Sequence, residues 1–195
     1  MSLSSAEKWD RKYADADLNT PVAPCYVLKQ HSRLLPFKGL ALDLASGLGG
    51  NARFLSQCGL KVEAWDISDQ ALTILNNWAS LNHLPIAPLL TDLDQMLFPY
   101  QRFDVIVVSR FLNRQLFQQI EQALKPGGLL FYQTFLGPVY PQGIQNADFY
   151  LQSGELIKAF PSLRVQVYGE GWLASENSLD QENKQRYSWL VGKKT

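Results

Sequence analysis

One stretch near residue 45 constrains the fold and chemistry of this chain most strongly. An apolar segment, LALDL, contains an acid at Asp43 and runs directly into a glycine-rich turn, ASGLGGNA. Glycines adopt positive φ easily and let a ligand approach the backbone. A helix that begins after them points its free N–H groups at that ligand. The pattern predicts a strand, a turn at Gly47 and Gly49, a helix, and a cofactor bound at the turn.

Two cofactor classes fit the turn. Gly47, Gly49 and Ala52 match the loose dinucleotide pattern G-x-G-x-x-A, which favours an NAD-dependent oxidoreductase. A carboxylate at Asp43 would repel a pyrophosphate but attract the sulfonium and ammonium groups of S-adenosylmethionine, by roughly 4 kcal/mol for unit charges about 4 Å apart. The simpler interpretation is that Asp43 only caps the helix. A protein that binds S-adenosylmethionine without turnover is a third alternative.

Two more acids follow apolar segments further along the chain. The segment VEAWD ends in Asp66, and IAPLL is followed by Thr91 and Asp92. Ligands in open parallel sheets bind at the carboxyl edge, where such acids gather. We therefore predict that Asp66 accepts the ribose hydroxyls. We also predict that Asp92 accepts from an adenine amino group while the N–H of Leu93 donates to the ring.

The order of these motifs resembles that of a known family. DLASGLGGNA, WDIS, TDL, FDVIVVSRFLNRQLF and LKPGGLLFYQTF follow one another as in class I S-adenosylmethionine-dependent methyltransferases, and most closely resemble the small tellurite-resistance-type methyltransferases. WDRKY, from Trp9 to Tyr13, is similar to the helix that closes over the cofactor in such enzymes. The resemblance extends to about Phe160. At Ser46 and Gly50 the chain departs from the Cys and Arg often found in tellurite-resistance members, so the acceptor stays open.

The pattern and the resemblance together predict the cofactor site. S-adenosylmethionine is expected to bind there and S-adenosylhomocysteine to leave, and no metal is expected. The predicted contacts lie on the N-terminal helix and in the loops that follow the strands, at Trp9, Tyr13, Asp43, Ala45, Ser46, Gly47, Gly49, Asn51, Asp66, Ile67, Asp92, Leu93, Ser109 and Arg110.

Methyl transfer from a sulfonium is an in-line displacement, so holding the reactants in line supplies much of the catalysis. A general base is needed only when the acceptor must lose a proton. Arg110 follows the fourth strand and is a candidate to grip an anionic acceptor, or else to pair with a neighbouring acid. Further weak candidates are His31, which would line the pocket or simply pack, and the phenols of Tyr132 and Tyr140, which are alternatively pocket walls.

Alternating strands and helices predict an α/β fold with a parallel sheet. Apolar runs place strands at 40–44, 62–66, 86–90, 103–108 and 128–134, followed by an antiparallel pair at 163–168 and 187–192. Pro88 cannot donate to a neighbouring strand, which predicts an edge position for the third strand. The resemblance implies a Rossmann-like seven-stranded sheet in the order 3-2-1-4-5-7-6, with strand 7 antiparallel and helices on both faces. Helices are expected at Asp69 to Leu81 and Arg114 to Leu124, the second capped by Asn113.

Length and composition fit one methyltransferase domain. With 195 residues, 46% of them hydrophobic, the chain can bury a sizeable core. Within this single domain, 1–195, we expect residues 1–36 to form an N-terminal helical cap. The irregular segment 136–152 is assigned to the acceptor side, its alternative being a passive surface connection. Cys25 and Cys58 are predicted to be buried thiols, in neither a disulfide nor a metal site.

The charge pattern bears on partners. The net charge is zero and the basic residues are scattered, so we expect no nucleic-acid partner. No apolar run reaches the roughly 18 residues of a membrane span, and no signal core precedes Trp9, which predicts a cytoplasmic monomer or homodimer with no membrane partner. The fourth strand leads into Ser109-Arg110-Phe111 rather than the Asn/Asp-Pro-Pro-aromatic run of nucleic-acid amino methyltransferases. The expected acceptor is therefore a small molecule: a selenium or tellurium oxyanion, a thiol or a small carboxylic acid.

Overall fold

One seven-stranded sheet organises the chain. A computed structural model describes residues 4–139, 145–174 and 184–195. The strands are β1 (Leu40–Leu44), β2 (Lys61–Asp66), β3 (Ile86–Leu90), β4 (Phe103–Ser109), β5 (Leu124–Phe135), β6 (Leu163–Ala174) and β7 (Lys184–Lys194). The helices are α1 (Ser5–Lys12), α2 (Tyr26–Gln30), α3 (Gly50–Gln57), α4 (Asp69–Leu81), α5 (Phe117–Ala123) and α6 (Glu155–Ala159).

The strand order is β3-β2-β1-β4-β5-β7-β6. The first five strands in this order are parallel, whereas β7 is antiparallel to both β5 and β6. The predicted order and the antiparallel strand 7 are confirmed. Pro88 lies on β3 at the sheet edge, opposite Ala64 of β2, where its missing N–H breaks no second ladder.

Alternate residues of the strands supply two apolar layers. On β1, Leu42 and Leu44 join the cluster that contains α5 and α6 residues, while Ala41 joins the one that contains residues of α2, α3 and α4. Side chains alternate between faces along a strand, so a strand covered on both faces must be apolar throughout. Burying each leucine fully contributes roughly 1.5–3 kcal/mol. The exception on β1 is Asp43, which lies on the α3 side and is completely buried.

Several element boundaries differ from those predicted, and β6 and β7 extend over Leu163–Ala174 and Lys184–Lys194 rather than 163–168 and 187–192. The turn at Pro126 and Gly127 lies inside β5, which begins at Leu124, because the extra residues form a bulge where the register against β4 shifts. The predicted helix at Arg114 to Leu124 is a 3-10 turn followed by the shorter α5. Its predicted cap is confirmed, because the side-chain oxygen of Asn113 accepts from the Gln115 N–H.

The two cysteines differ. Cys25 is buried as predicted, but Cys58 is exposed, so the prediction of a buried thiol was wrong there. The reason is that α3 ends at Gln57, which leaves Cys58 at the helix terminus rather than on the apolar face. Within the three described ranges, no helix is both long and apolar enough to cross a membrane.

Candidate cofactor site

The turn after β1 has the predicted conformation. Gly47 and Gly49 have φ of 51° and 78°, and Gly49 is the residue from which α3 begins. A Cβ atom at Gly49 would lie 2.4 Å from Leu75 Cδ1 on α4, so only glycine allows the turn to sit this close to that helix. The turn therefore presents backbone rather than side chains at the carboxyl edge of the sheet.

Asp43 lies beneath this turn and not at its mouth. Its carboxylate accepts from the Ala52 N–H at 2.9 Å and from the Asn51 side-chain amide at 3.1 Å. The side chain is 0% exposed, and this burial raises its pKa to about 7. The sequence predicted the Asp43 carboxylate at the mouth of the strand. It instead caps the first turn of α3, because that helix folds over it.

Asn51 connects three parts of the chain. Its amide nitrogen donates to Asp43, and its amide oxygen accepts from the Cys25 N–H at 2.8 Å. Both polar groups therefore face the protein interior, whereas the sequence predicted a contact with the cofactor. The bridge fixes the N-terminal segment against the start of α3.

Asp66 occupies the equivalent position on β2 and faces different surroundings. Its two oxygens accept from the Gly47 N–H at 2.7 Å and from the Ser68 N–H at 2.9 Å, which links the glycine turn to the start of α4. The residue keeps 7% exposure, and burial is the main cause that raises its pKa. Each carboxylate oxygen has two lone pairs, so Asp66 retains acceptor capacity for a ligand hydroxyl.

Helix α1 lies over the turn and is held by polar contacts. A Cβ at Gly47 would be 2.6 Å from the hydroxyl oxygen of Tyr13, so the phenol lies directly on the turn. Asp10 accepts from the Ser68 hydroxyl at 2.6 Å and from the Gln70 N–H at 3.2 Å. Sequence reasoning missed Asp10, although it lies within the WDRKY motif. No residue of α1 is buried, so its docking depends on these contacts rather than on an apolar face.

The rings of Trp9 and Tyr13 are stacked as their helical spacing predicts, with centroids 6.2 Å apart and planes at 22°. Lys12 Nζ lies 4.3 Å from the centre of the Trp9 ring. Because Trp9 is 39% exposed, it does not anchor α1 in the core.

Two cations meet at this site. Burial is the main cause that lowers the pKa of Lys12, and the positive charge of Arg110 lowers it further. The negative charge of Asp66 raises it. The same Asp66 and Arg110 charges act on Tyr13, whose pKa burial raises to about 12. Lys12 was not among the residues predicted from the sequence. Charge alone did not single it out among the scattered lysines.

The backbone is strained at two points on the same edge. Ala45, which follows β1, and Arg110, which follows β4, both have φ of 54°. Non-glycine residues in this region cost about 1 kcal/mol or more, and such strain is concentrated at ligand sites. At Arg110 the strain turns the chain so that its N–H donates to the Gln133 carbonyl at 2.9 Å.

The other predicted contacts lie around this centre. The N–H of Ser46 donates to the Trp65 carbonyl at 3.0 Å, and Ser109 is the last residue of β4. Ile67 lies between Asp66 and Ser68, and its N–H is one of the backbone donors to the Asp66 carboxylate.

Asp92 and Leu93 lie after the edge strand β3. The Asp92 carboxylate accepts from the Asp94 N–H and from the Gln95 side chain, and so closes its own turn. The Leu93 side chain is buried in the core. Asp92 is half-buried at this end of the crevice.

Unlike Arg110, neither His31 nor Tyr132 has a described contact with the turn. His31 is the C-cap residue of α2. At the other end of this helix, the Val27 N–H donates to the Gln133 side chain on β5. Burial and the Arg33 charge lower the pKa of His31. Tyr132 is fully buried in the core and donates to the Phe111 carbonyl at 3.0 Å, so its prediction as a pocket phenol was wrong. Tyr140 lies outside the described residues.

The segment expected on the acceptor side borders a separate pocket of about 700 Å³ at the end of β5. Of this segment, residues 140–144 lie outside the described part. Arg114, which sequence reasoning missed, organises the pocket wall by donating to the Asp148 and Tyr150 carbonyls at 3.0 Å and to Glu155. The pocket shares the carboxyl edge of the sheet with the glycine turn, but none of the residues that form the turn line it.

Comparisons with known proteins agree with this geometry. Residues 41–128 match the family model described as a methyltransferase domain. No curated protein matches the chain. Among solved structures, TehB from Haemophilus influenzae is 19% identical with a TM-score of 0.77, and the match covers 97% of this chain and 67% of TehB.

Two further structures illustrate how widely the fold is shared. An N-methyltransferase from Haemonchus contortus, in complex with phosphomonomethylethanolamine and S-adenosylhomocysteine, is 17% identical with a TM-score of 0.75; the match covers 99% of this chain and 60% of that one. A protein from Methanosarcina mazei, described as one of the S-adenosylmethionine-dependent methyltransferases, is 15% identical with a TM-score of 0.70, over 88% of this chain and 98% of that one. At such identities the similarity shows the fold.

Proposed function

We propose that this chain is an S-adenosylmethionine-dependent methyltransferase, a function that its methyltransferase domain and its fold support, and that it transfers the methyl group of that cofactor to a small anionic molecule. The observation that carries the proposal is the meeting of Lys12 and Arg110 at the turn where Tyr13 and Asp66 lie. Two positive side chains at this place attract an anionic acceptor and repel a cationic one.

The cofactor half of the proposal rests on the glycine turn. Asp66 keeps acceptor capacity for a ribose hydroxyl beside the turn at Gly47 and Gly49. Tyr13 covers this position from above. Asp92 and the Leu93 N–H are the groups that would receive the adenine at the β3 end.

The acceptor half rests on charge. In the reaction a lone pair of the acceptor forms a bond to the methyl carbon while the carbon–sulfur bond breaks and its electron pair stays on sulfur. A carboxylate or an oxyanion of selenium or tellurium already carries that lone pair at neutral pH, so no general base is needed, whereas a small thiol, with a pKa of about 8.5, must first release its proton to solvent. No described contact places His31 at this site, which is consistent with a reaction that needs no histidine base. The resemblance of the sequence motifs to tellurite-resistance-type methyltransferases makes the oxyanions the first acceptors to test.

The proposal is tested by measuring S-adenosylhomocysteine formation with selenite, tellurite, small thiols and small carboxylates, with mass spectrometry of the methylated products. Neutral and cationic amines serve as the contrasting acceptors. We expect turnover with an anion, and a loss of about 10- to 100-fold in kcat/KM for Lys12→Met, since a charge-assisted contact contributes roughly 1.5–3 kcal/mol.

Lys8→Met is the matched control, because Lys8 is an exposed lysine on the same helix. It should leave both kcat/KM and cofactor affinity unchanged. Equal methylation of amines, or a Lys12→Met enzyme indistinguishable from the control, would contradict an anionic acceptor. Tight cofactor binding without product from any acceptor would favour a protein that binds S-adenosylmethionine without turnover.

A further inference from the structure

A buried cation lies away from the cofactor site. Arg53 on α3 is 8% exposed, and the carbon at the centre of its guanidinium is 4.3 Å from the centre of the Trp78 ring on α4. Among the residues that the structure describes, no hydrogen-bond acceptor reaches its Nε or Nη2. The stacking on Trp78 satisfies the flat face of the guanidinium but leaves these in-plane donors without partners.

Arg53 lines a pocket of about 260 Å³. The pocket is bounded by residues 18–24 of the N-terminal segment, by the outer side of α3 and by Trp78. The segment lies close against the helix, because a Cβ at Gly50 would be 2.4 Å from the Ala23 carbonyl oxygen. Neither Gly47 nor Asp66 borders this pocket, so it is distinct from the proposed cofactor site.

The pocket offers Arg53 no counter-charge. No Asp or Glu is among its lining residues, and burial alone lowers the pKa of Arg53. A buried charge is normally paired, because removing it from water is costly. An anion that entered the pocket would supply the missing counter-charge.

We propose that this pocket binds a small organic monocarboxylate. One guanidinium balances one negative charge, and its planar fork fits a carboxylate with two parallel hydrogen bonds. Since Nε and Nη2 are covered by protein here, the side chain would turn toward the pocket to form them. The remaining wall combines apolar residues, among them Pro21, Val22, Pro24, Phe54 and Trp78, with the polar side chains of Asn19, Thr20 and Gln57, which suits an organic acid better than inorganic phosphate. The volume is that of about nine liquid water molecules at roughly 30 Å³ each, which suits a small acid.

Benzoate is a suitable probe, and thermal unfolding of the full chain measures its binding. We expect about 20 mM benzoate to raise Tm by about 3 °C, as for a ligand with millimolar Kd. Phosphate at the same ionic strength should not. The Arg53→Met variant keeps the length of the side chain without its charge and should lose the benzoate response. Arg164→Gln, which changes an exposed arginine on β6, should keep the response.

A direct readout is the Nε–H resonance of Arg53 in an NMR spectrum, assigned by its disappearance in Arg53→Lys. Benzoate should shift this resonance in the wild type. S-adenosylhomocysteine affinity should change less than about twofold in Arg53→Met. A failure of the carboxylate site can therefore be told apart from a failure of the methyltransferase proposal. An unshifted resonance, or an equal rise in Tm for wild type and Arg53→Met, would overturn the carboxylate site. A response to phosphate equal to that to benzoate would do so as well.

Discussion

The ends of β1 and β2 carry equivalent acids in contrasting surroundings. Asp43 is 0% exposed, and the first turn of α3 occupies both of its oxygens. Asp66 on the next strand is also buried, with 7% exposure, and holds the glycine turn beneath Tyr13, near Lys12 and Arg110. The acid on the same strand as the turn thus supports the turn from below. The acid from the neighbouring strand keeps a small exposed fraction at the carboxyl edge, which is where open α/β sheets bind their ligands.

The largest effect we expect is on stability, from Asp43→Ala. The substitution leaves the Ala52 N–H and the Asn51 amide without an acceptor inside the protein, which should lower the free energy of unfolding by about 3 kcal/mol. Urea unfolding at constant m-value measures the change. Asp15→Ala, at an exposed acid, is the control and should stay within about 0.5 kcal/mol of wild type. A loss from Asp43→Ala as small as this would mean that Asp43 does not support the turn.

Asp66→Ala should act mainly on the ligand. The ribose hydroxyls would lose a charged acceptor, so we expect S-adenosylhomocysteine to bind about 30-fold more weakly, which corresponds to roughly 2 kcal/mol. Calorimetric titration well below Tm separates this loss from any loosening of the turn. Asp66→Asn, which keeps one acceptor oxygen, should lose less. If Asp66→Ala binds as tightly as wild type, the contrast between the two acids is wrong.

The pKa of Asp43 makes a prediction about pH. Because this pKa is about 7 in the folded protein and 3.8 as its ordinary value, the folded chain holds a proton that the unfolded chain releases between these limits. The free energy of unfolding should therefore fall as pH rises through this window, by on the order of 2–3 kcal/mol from pH 5 to 7. Asp66, whose pKa is also raised, acts in the same direction.

The control for this prediction is Asp43→Asn, which has no proton to release at this position. Its free energy of unfolding should depend on pH less steeply over the same range, with the remaining slope set by Asp66 and other groups. Denaturant unfolding at pH 5, 6 and 7 compares the two chains. Parallel pH profiles would show that Asp43 does not titrate as its burial requires.

The features that the sequence predicted correctly depend on local rules. Continuous apolar runs marked the strands, the missing N–H of Pro88 placed β3 at the edge, and the positive φ of Gly47 and Gly49 formed the turn. The strand order itself came from the resemblance to a family. These features depend on residue type and neighbours along the chain, which a sequence displays directly.

The errors concern the direction in which a side chain points. Asp43 and Asp66 look alike in the sequence, and only the fold of α3 over β1 separates their roles. Tyr132 lies on the face of β5 that packs against Phe117 and Phe160, which depends on strand register. Lys12 gains its importance from Arg110, nearly a hundred residues away in the chain, and no local pattern joins them.

The smallest expected effect tests whether α1 is a lid over Asp66. Tyr13→Phe removes the hydroxyl that lies on Gly47 but keeps the ring stacked on Trp9, so S-adenosylhomocysteine affinity should fall only about fivefold, roughly 1 kcal/mol, with Tm unchanged. Tyr100→Phe, at an exposed tyrosine, is the control and should bind normally. Because α1 buries no residue, hydrogen exchange across residues 5–16 should be fast without ligand and slow when S-adenosylhomocysteine binds. Exchange that is already slow in the free protein would mean that α1 is a fixed part of the fold. Asp66 would then be covered permanently, as Asp43 is by α3.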